Sequence, residues 1–229
     1  MRTPRTFVDA LASLDLPDTF NPYRDTCPLH DAPSAARVRR DNLERCLEAA
    51  IKARANTIWV ARDLGYRGGR RTGIPLTDEV HLADASHLFR GATFARATRG
   101  PVVAERTATI TWDLLRRIER PVMLWNVFPL HPHGRDDPMS NRCHNRLERE
   151  ATRCFILALL DMLAPARLVT IGRDAAAALS DLDVPISPVR HPSYGGQSEF
   201  SAGIQSIYGL HSVGASAATD AQLSFDIPQ

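Results

Sequence analysis

Apolar residues follow two alternating patterns along this chain, a helical spacing of three to four residues and short unbroken runs. The helical spacing appears first over Thr6–Leu14, where Phe7, Val8, Leu11, Ala12 and Leu14 fall together. It is fuller over Ala35–Ala55, behind Ser34 as N-cap, with Val38, Leu43, Cys46, Leu47, Ala50 and Ile51 predicted inward. Thr77 or Asp78 is placed to cap a helix holding Val80, Leu82 and Ala83, and Glu105–Glu119 forms another. Asn141–Leu163 carries a stripe of Leu147, Ala151, Cys154, Phe155, Ala158, Leu159 and Met162, and shorter helices are predicted over Arg173–Leu182 and Ser198–Gly209. The unbroken runs are Asn56–Ala61, Val122–Trp125, Arg167–Ile171 and Val184–Val189, each the length of one buried strand. Helices alternating with such runs predict an α/β protein, a three-layer α/β/α fold around a central four-stranded parallel sheet. Prolines at 17, 22, 28 and 33 make the N-terminal segment 1–34 largely irregular, and the small, polar stretch of about 212–229 is predicted to be a flexible tail. The whole, residues 1–229, is expected to form a single domain.

Three of the runs end on polar groups. Asn56–Ala61 leads into Arg62 and Asp63, Val122–Trp125 into Asn126, and Val184–Val189 into Arg190, His191, Pro192 and Ser193. Ligands of open parallel sheets bind outside the carboxyl ends of the strands, so Asp63, Asn126 and His191 are candidates to meet in one site. Asparagine carries both a donor and an acceptor for reading the edge of a nucleobase. Histidine can donate to an oxygen on which negative charge develops, and aspartate can hold a water or face a developing cation. Together these satisfy N-glycosidic bond cleavage, in which the base leaves as an anion and the sugar becomes cationic. Each residue taken singly also fits a structural role: Asp63 as a turn cap, Asn126 bonded within its own loop, His191 as a satisfied strand-end residue.

Composition narrows the classes. With 229 residues, 44% of them hydrophobic, the chain can bury a sizeable core. Its net charge is only +2, yet Lys52 is its single lysine, so the positive charge is almost entirely arginine, suited to forked phosphate contacts or written by a GC-rich genome. Four glycines and four arginines crowd Arg62–Pro75, as in a phosphate-contacting loop or a flexible surface hairpin; the spacing is neither a Walker loop nor GxGxxG. No apolar stretch reaches the length of a membrane helix and no signal peptide is evident, so a cytoplasmic protein is expected. The four cysteines form no CxxC pair, and His131 and His133, an HxH flanked by prolines, are weak evidence for metal. Neither metal nor cofactor is predicted.

The order Arg62-Asp63-Leu64-Gly65-Tyr66-Arg67-Gly68, then Asn126 in WNVFPLHPHG, then His191-Pro192-Ser193 resembles the uracil-DNA glycosylase superfamily over about residues 56–210. There the first motif reads GQDPY or GEAPG, an asparagine ends the middle strand, and the last motif begins HPS. The resemblance implies a glycosylase that excises uracil from single- or double-stranded DNA to begin base excision repair; monofunctional cleavage is expected from the single lysine, and tolerance of other deaminated bases from the departures at Gly65 and Leu76. It also implies catalytic roles for Asp63, on the water, and His191, on the leaving base. Asn126 would read uracil in a pocket shared with Gly65, Tyr66 and Leu76. Ser193 and Tyr194 would contact DNA, Tyr194 standing where the superfamily has its wedge leucine, and Arg67, Arg70 and Arg71 are expected on phosphates.

The chain also departs from that pattern. Ala61, Arg62 and Leu64 replace the usual neighbours of the aspartate; Gly65 replaces the tyrosine that excludes the thymine methyl group. Leu76 follows Pro75 where an aromatic ring is usual, which leaves Phe20 as a candidate for stacking. Leu130 occupies a cluster-ligand position, so no iron–sulfur cluster is expected, and Lys52 lies away from the strand ends, which argues against Schiff-base lyase chemistry. A monomer acting on DNA is expected. Two other readings use the same residues: a hydrolase of free nucleosides, and a non-catalytic binder of damaged or single-stranded DNA.

Overall fold

The computed structural model of the chain describes residues 1–118 and 120–210. Strands β2 (Thr57–Asp63), β3 (Met123–Phe128), β5 (Arg167–Ile171) and β6 (Ile186–Val189) form one parallel sheet in the order β3-β2-β5-β6. Helices α1 (Pro4–Ala12), α2 (Ala35–Lys52), α5 (Arg106–Leu115), α6 (Arg146–Leu163), α7 (Arg173–Ala178) and α8 (Gln197–Tyr208) flank it, giving the predicted α/β/α fold. Two short helices, α3 (Gly69–Thr72) and α4 (Leu82–Leu88), lie in the connection after β2. The central strands are buried on both faces, which is why their sequences are continuous apolar runs rather than alternating ones. Trp59, Trp112 and Trp125 are all in the core, where each large apolar side chain contributes about 1.5–3 kcal/mol of burial.

A second, two-stranded sheet pairs β1 (Thr19–Phe20) antiparallel with β4 (His131–Pro132). The proline-rich segment is therefore tied to the chain leaving β3. Phe20 lies between two guanidinium groups, with the Arg70 carbon 4.0 Å and the Arg39 carbon 5.6 Å from its ring centre. Its ring is buried, 9% exposed, with the Arg70 guanidinium against it.

Several sequence expectations are corrected. Ile51 and Val80 point to solvent, and the inward position on α2 is taken by Arg39, fully buried and paired with buried Asp31. The buried stripe of α6 is Glu148, Thr152, Phe155, Ile156 and Leu159, one position round from the predicted one, and Leu147 is exposed. The cause lies at its first turn. Asn145 and Glu148 form a reciprocal capping box, and Glu148 also binds the Arg142 guanidinium at 2.5 and 2.8 Å, so a charged residue takes the inward position. The predicted tail at about 212–229 lies outside the described residues.

Candidate active site

A cavity of about 400 Å³ opens at the carboxyl ends of β2, β5 and β6. Its wall takes Ala61–Gly65 from β2 and the loop beyond, Ile171–Asp174 from β5 and α7, and Arg190, His191, Ser193 and Tyr194 from the loop after β6. Leu76, Glu105 and Asn141 complete it from the connecting segments. Four arginines reach the wall, Arg62, Arg142, Arg173 and Arg190, against three carboxylates, Asp63, Glu105 and Asp174.

Asp63 and His191, joined on the strength of their strand-end positions, do line one cavity. Both oxygens of Asp63 are engaged: Oδ2 accepts from Arg62 Nε at 2.6 Å, and Oδ1 accepts from His144 Nδ1. Arg62 reaches on to Asp174 Oδ2 at 2.7 Å, so an alternating row of charges runs along the rim. His191 Nδ1 accepts the Ser193 backbone N–H at 3.1 Å, which leaves Nε2–H as the ring's donor. Burial, with Arg62 and Arg190 nearby, lowers its pKa from the ordinary 6.5, so the imidazole is neutral at pH 7.

Asn126 does not sit at the rim. Strand β3 continues past it to Phe128, and Asn126 pairs in register with Ala61, two residues short of Asp63. It is 1% exposed, it is absent from the cavity wall, and its amide donates to the Asp63 carbonyl at 2.9 Å. Its Oδ1 is buried with no hydrogen-bond partner among the described residues. Apolar residues run on through Val127 and Phe128, so the strand does not stop at the asparagine.

Gly65 and Leu76 are on the wall. Leu76 adopts a left-handed φ of +56°, a strained conformation for a branched residue, with its carbonyl bonded by Trp112 Nε1 at 3.2 Å. Tyr66 is off the wall, its N–H donating to Asn141 Oδ1 at 3.0 Å. Ser193 is on the wall, and Tyr194, 99% exposed with φ +54°, stands at the mouth. Arg67 is exposed. Arg70 and Arg71 are not available to phosphates, being 2% and 6% exposed. Arg70 donates to the Pro138 carbonyl and lies 3.0 Å from His131 Nδ1, while Arg71 pairs with buried Glu79 at 3.1 Å. The loop folds inward: Arg70 lies against Phe20 of β1 and His131 of β4, while Arg71 is held by Glu79 and Thr98.

His131 and His133 have ring centres 5.8 Å apart, and His131 Nε2 lies 2.9 Å from the Ser140 carbonyl. Among the described residues no three His, Cys, Asp or Glu side chains converge as a metal site requires. Among the same residues no helix is long and apolar enough to cross a membrane.

No protein-family model matches the chain. No curated protein matches it either. Among solved structures, that of wild-type Pedobacter heparinus SMUG2 superposes with a TM-score of 0.62, covering 91% of this chain and 97% of that one at 13% identity. The chain has that fold. At such identity the likeness speaks for architecture alone, and the site has to be argued from its own residues.

Three wall or support residues were not singled out from sequence: Glu105, Asn141 and His144. Glu105 and Asn141 read as helix starts, and His144 as part of the first turn of the helix predicted over Asn141–Leu163, which in the structure begins only at Arg146. No local pattern marks them, because each reaches the site across a long separation in sequence.

Proposed function

We propose that the chain is a monofunctional DNA glycosylase that hydrolyses the N-glycosidic bond of uracil, and of related deaminated bases, in DNA. The observation that carries this reading is the neutral His191 on the same cavity wall as the anchored carboxylate of Asp63, at the mouth of which stands Tyr194. The order of the strand-end motifs and the likeness in fold to SMUG2 agree with it.

In this mechanism a nucleotide leaves the duplex and enters the cavity, at a cost of a few kcal/mol that contacts to DNA must offset. The exposed arginines 67, 173 and 190 supply phosphate contacts around the mouth, and Tyr194 fills the gap left in the stack. His191 Nε2–H donates to the base oxygen on which charge accumulates. A neutral donor suits this step, since it stabilises the anion without protonating it first. Asp63 faces the cationic sugar and, through its remaining lone pairs, the attacking water; Arg62 and His144 hold the carboxylate in orientation. Asn126 acts from behind, holding the Asp63 backbone. Lys52, the single lysine, lies just before the amino end of β2, opposite the cavity, so no Schiff base forms there. The protein acts as a single-domain monomer.

One feature favours a second reading, a non-catalytic DNA binder: both oxygens of Asp63 are already held by the protein. Release of uracil from single-stranded and duplex oligonucleotides in EDTA separates the two. Wild type is expected to release the base and His191→Ala to lose on the order of 100- to 1,000-fold in rate. Salt-sensitive binding with no release by wild type would make the binder reading correct.

A further inference from the structure

Most polar side chains on the cavity wall are already engaged within the protein. Arg62 and Asp63 hold each other, Arg142 holds Glu148, and Asn141 Oδ1 accepts from Tyr66. Glu105 is different. Its backbone N–H donates to Asp78 Oδ2 at 2.6 Å, but its carboxyl oxygens make no hydrogen bond or ion pair among the described residues.

The position of that carboxyl explains two glycines of the loop after β2. A Cβ at Gly65 would overlap Glu105 Oε1, and one at Gly68 would overlap Oε2. Gly65 has no left-handed φ that would call for glycine, so at that position the approach of the carboxyl is the constraint. The space that a side chain at position 65 would take is filled instead by a carboxyl arriving from the start of α5. Asn126, the expected reader of the base, is meanwhile recessed in the sheet.

Resting on the glycosylase reading, we propose that Glu105 binds the edge of the extruded base, its carboxyl group donating to a ring carbonyl and accepting the neighbouring ring N–H. The bases that fit carry N–H and C=O side by side, as uracil, hypoxanthine and xanthine do. Burial, and then the Asp78 carboxylate, raise the Glu105 pKa to about 7 against the opposing pull of Arg67. The neutral carboxyl, which both donates and accepts, is thus well populated at neutral pH. Across the cavity stand Arg62, Asp63, Asp174 and His191, and the wall also holds Arg142, Arg173 and Arg190. Ionised, Glu105 would oppose the negative charge building on the departing base, so release falls as pH rises through about 7.

The test is kcat/KM for release of uracil, hypoxanthine and xanthine from DNA between about pH 6 and pH 9 in wild type, Glu105→Gln, Glu105→Ala, Gly65→Ala and the Gly65→Ala/Glu105→Ala double variant. Glu105→Ala is expected to lose on the order of 10- to 100-fold. Glu105→Gln, which keeps a donor and an acceptor in the same volume, retains most of the activity and loses the alkaline fall. Gly65→Ala displaces the carboxyl and reproduces the alanine loss, and the double variant is no slower than either single one. Wild-type rates in Glu105→Ala, or an alkaline fall that persists in Glu105→Gln, would overturn the inference while leaving the glycosylase reading intact. A wild type that releases none of the three bases would overturn that reading and this inference together.

Discussion

Replacing Asp31 with alanine is expected to destabilise the protein by about 3–5 kcal/mol, the loss seen when one partner of a buried ion pair is removed. Both side chains of the Asp31–Arg39 pair are fully buried. Arg39 Nη2 donates to Asp31 Oδ1, and Asp31 Oδ2 accepts the Cys27 N–H at 2.7 Å. Without the carboxylate, the guanidinium keeps three long bonds to carbonyls, Arg71 at 3.2 Å and Pro22 and Asp25 at 3.4 Å, and no counter-charge. Those bonds are too long to solvate a cation well, which sets the loss at the range given rather than near the value of about 1 kcal/mol for an exposed pair. Against a typical stability of about 5–15 kcal/mol, the change is large. Urea denaturation followed by circular dichroism measures it as a lower midpoint at unchanged slope. Arg39→Met combined with Asp31→Leu removes both charges and is expected to recover most of the loss. A single-variant loss below about 1 kcal/mol would refute the reasoning, since it would mean that water already reaches the pair.

Arg67→Ala is expected to lower the salt slope of DNA binding by about 0.9 without moving the melting temperature. Arg70→Ala and Arg71→Ala are expected to do the reverse, destabilising the fold and leaving the slope unchanged; an altered slope in either would contradict their burial. For Glu105, the folded-state pKa of about 7 lies above the ordinary 4.5, so the native state binds the extra proton and stability declines as pH rises between those values. Glu105→Gln removes that decline, and its advantage over wild type grows to at most about 3 kcal/mol above pH 7, read from urea midpoints across the pH range. Tyr194→Ala is expected to slow release from duplex DNA while sparing single strands, which leave no gap to fill, and equal slowing on both would count against its role at the mouth.

The motif order pointed to the carboxyl end of the four-stranded sheet, where a cavity lies, because strand ends and turn residues are local features. Asp63 and His191 could be paired from sequence for that reason: each closes a β-run, and carboxyl ends of parallel strands lie together whatever the loops do. Asn126 illustrates the limit. Its strand runs on through Val127 and Phe128, and a shift of two residues from the strand end moves a side chain from the rim into the sheet. Arg70 and Arg71 illustrate it again, since sequence gives charge but not direction, and only the packing of Phe20, Glu79 and Pro138 against the loop turns them inward.

By itself, then, the sequence determined the layers, the parallel order of helix and strand, and the edge where chemistry is possible, all consequences of hydrophobic period and of what ends it. Only the tertiary structure decided which side chains face that edge. Glu105 reaches Gly65 across forty residues of chain, and His144 reaches Asp63 across 81. Such meetings depend on how α5 and α6 dock on the sheet, and docking is set by summed burial over many residues, which no local pattern records.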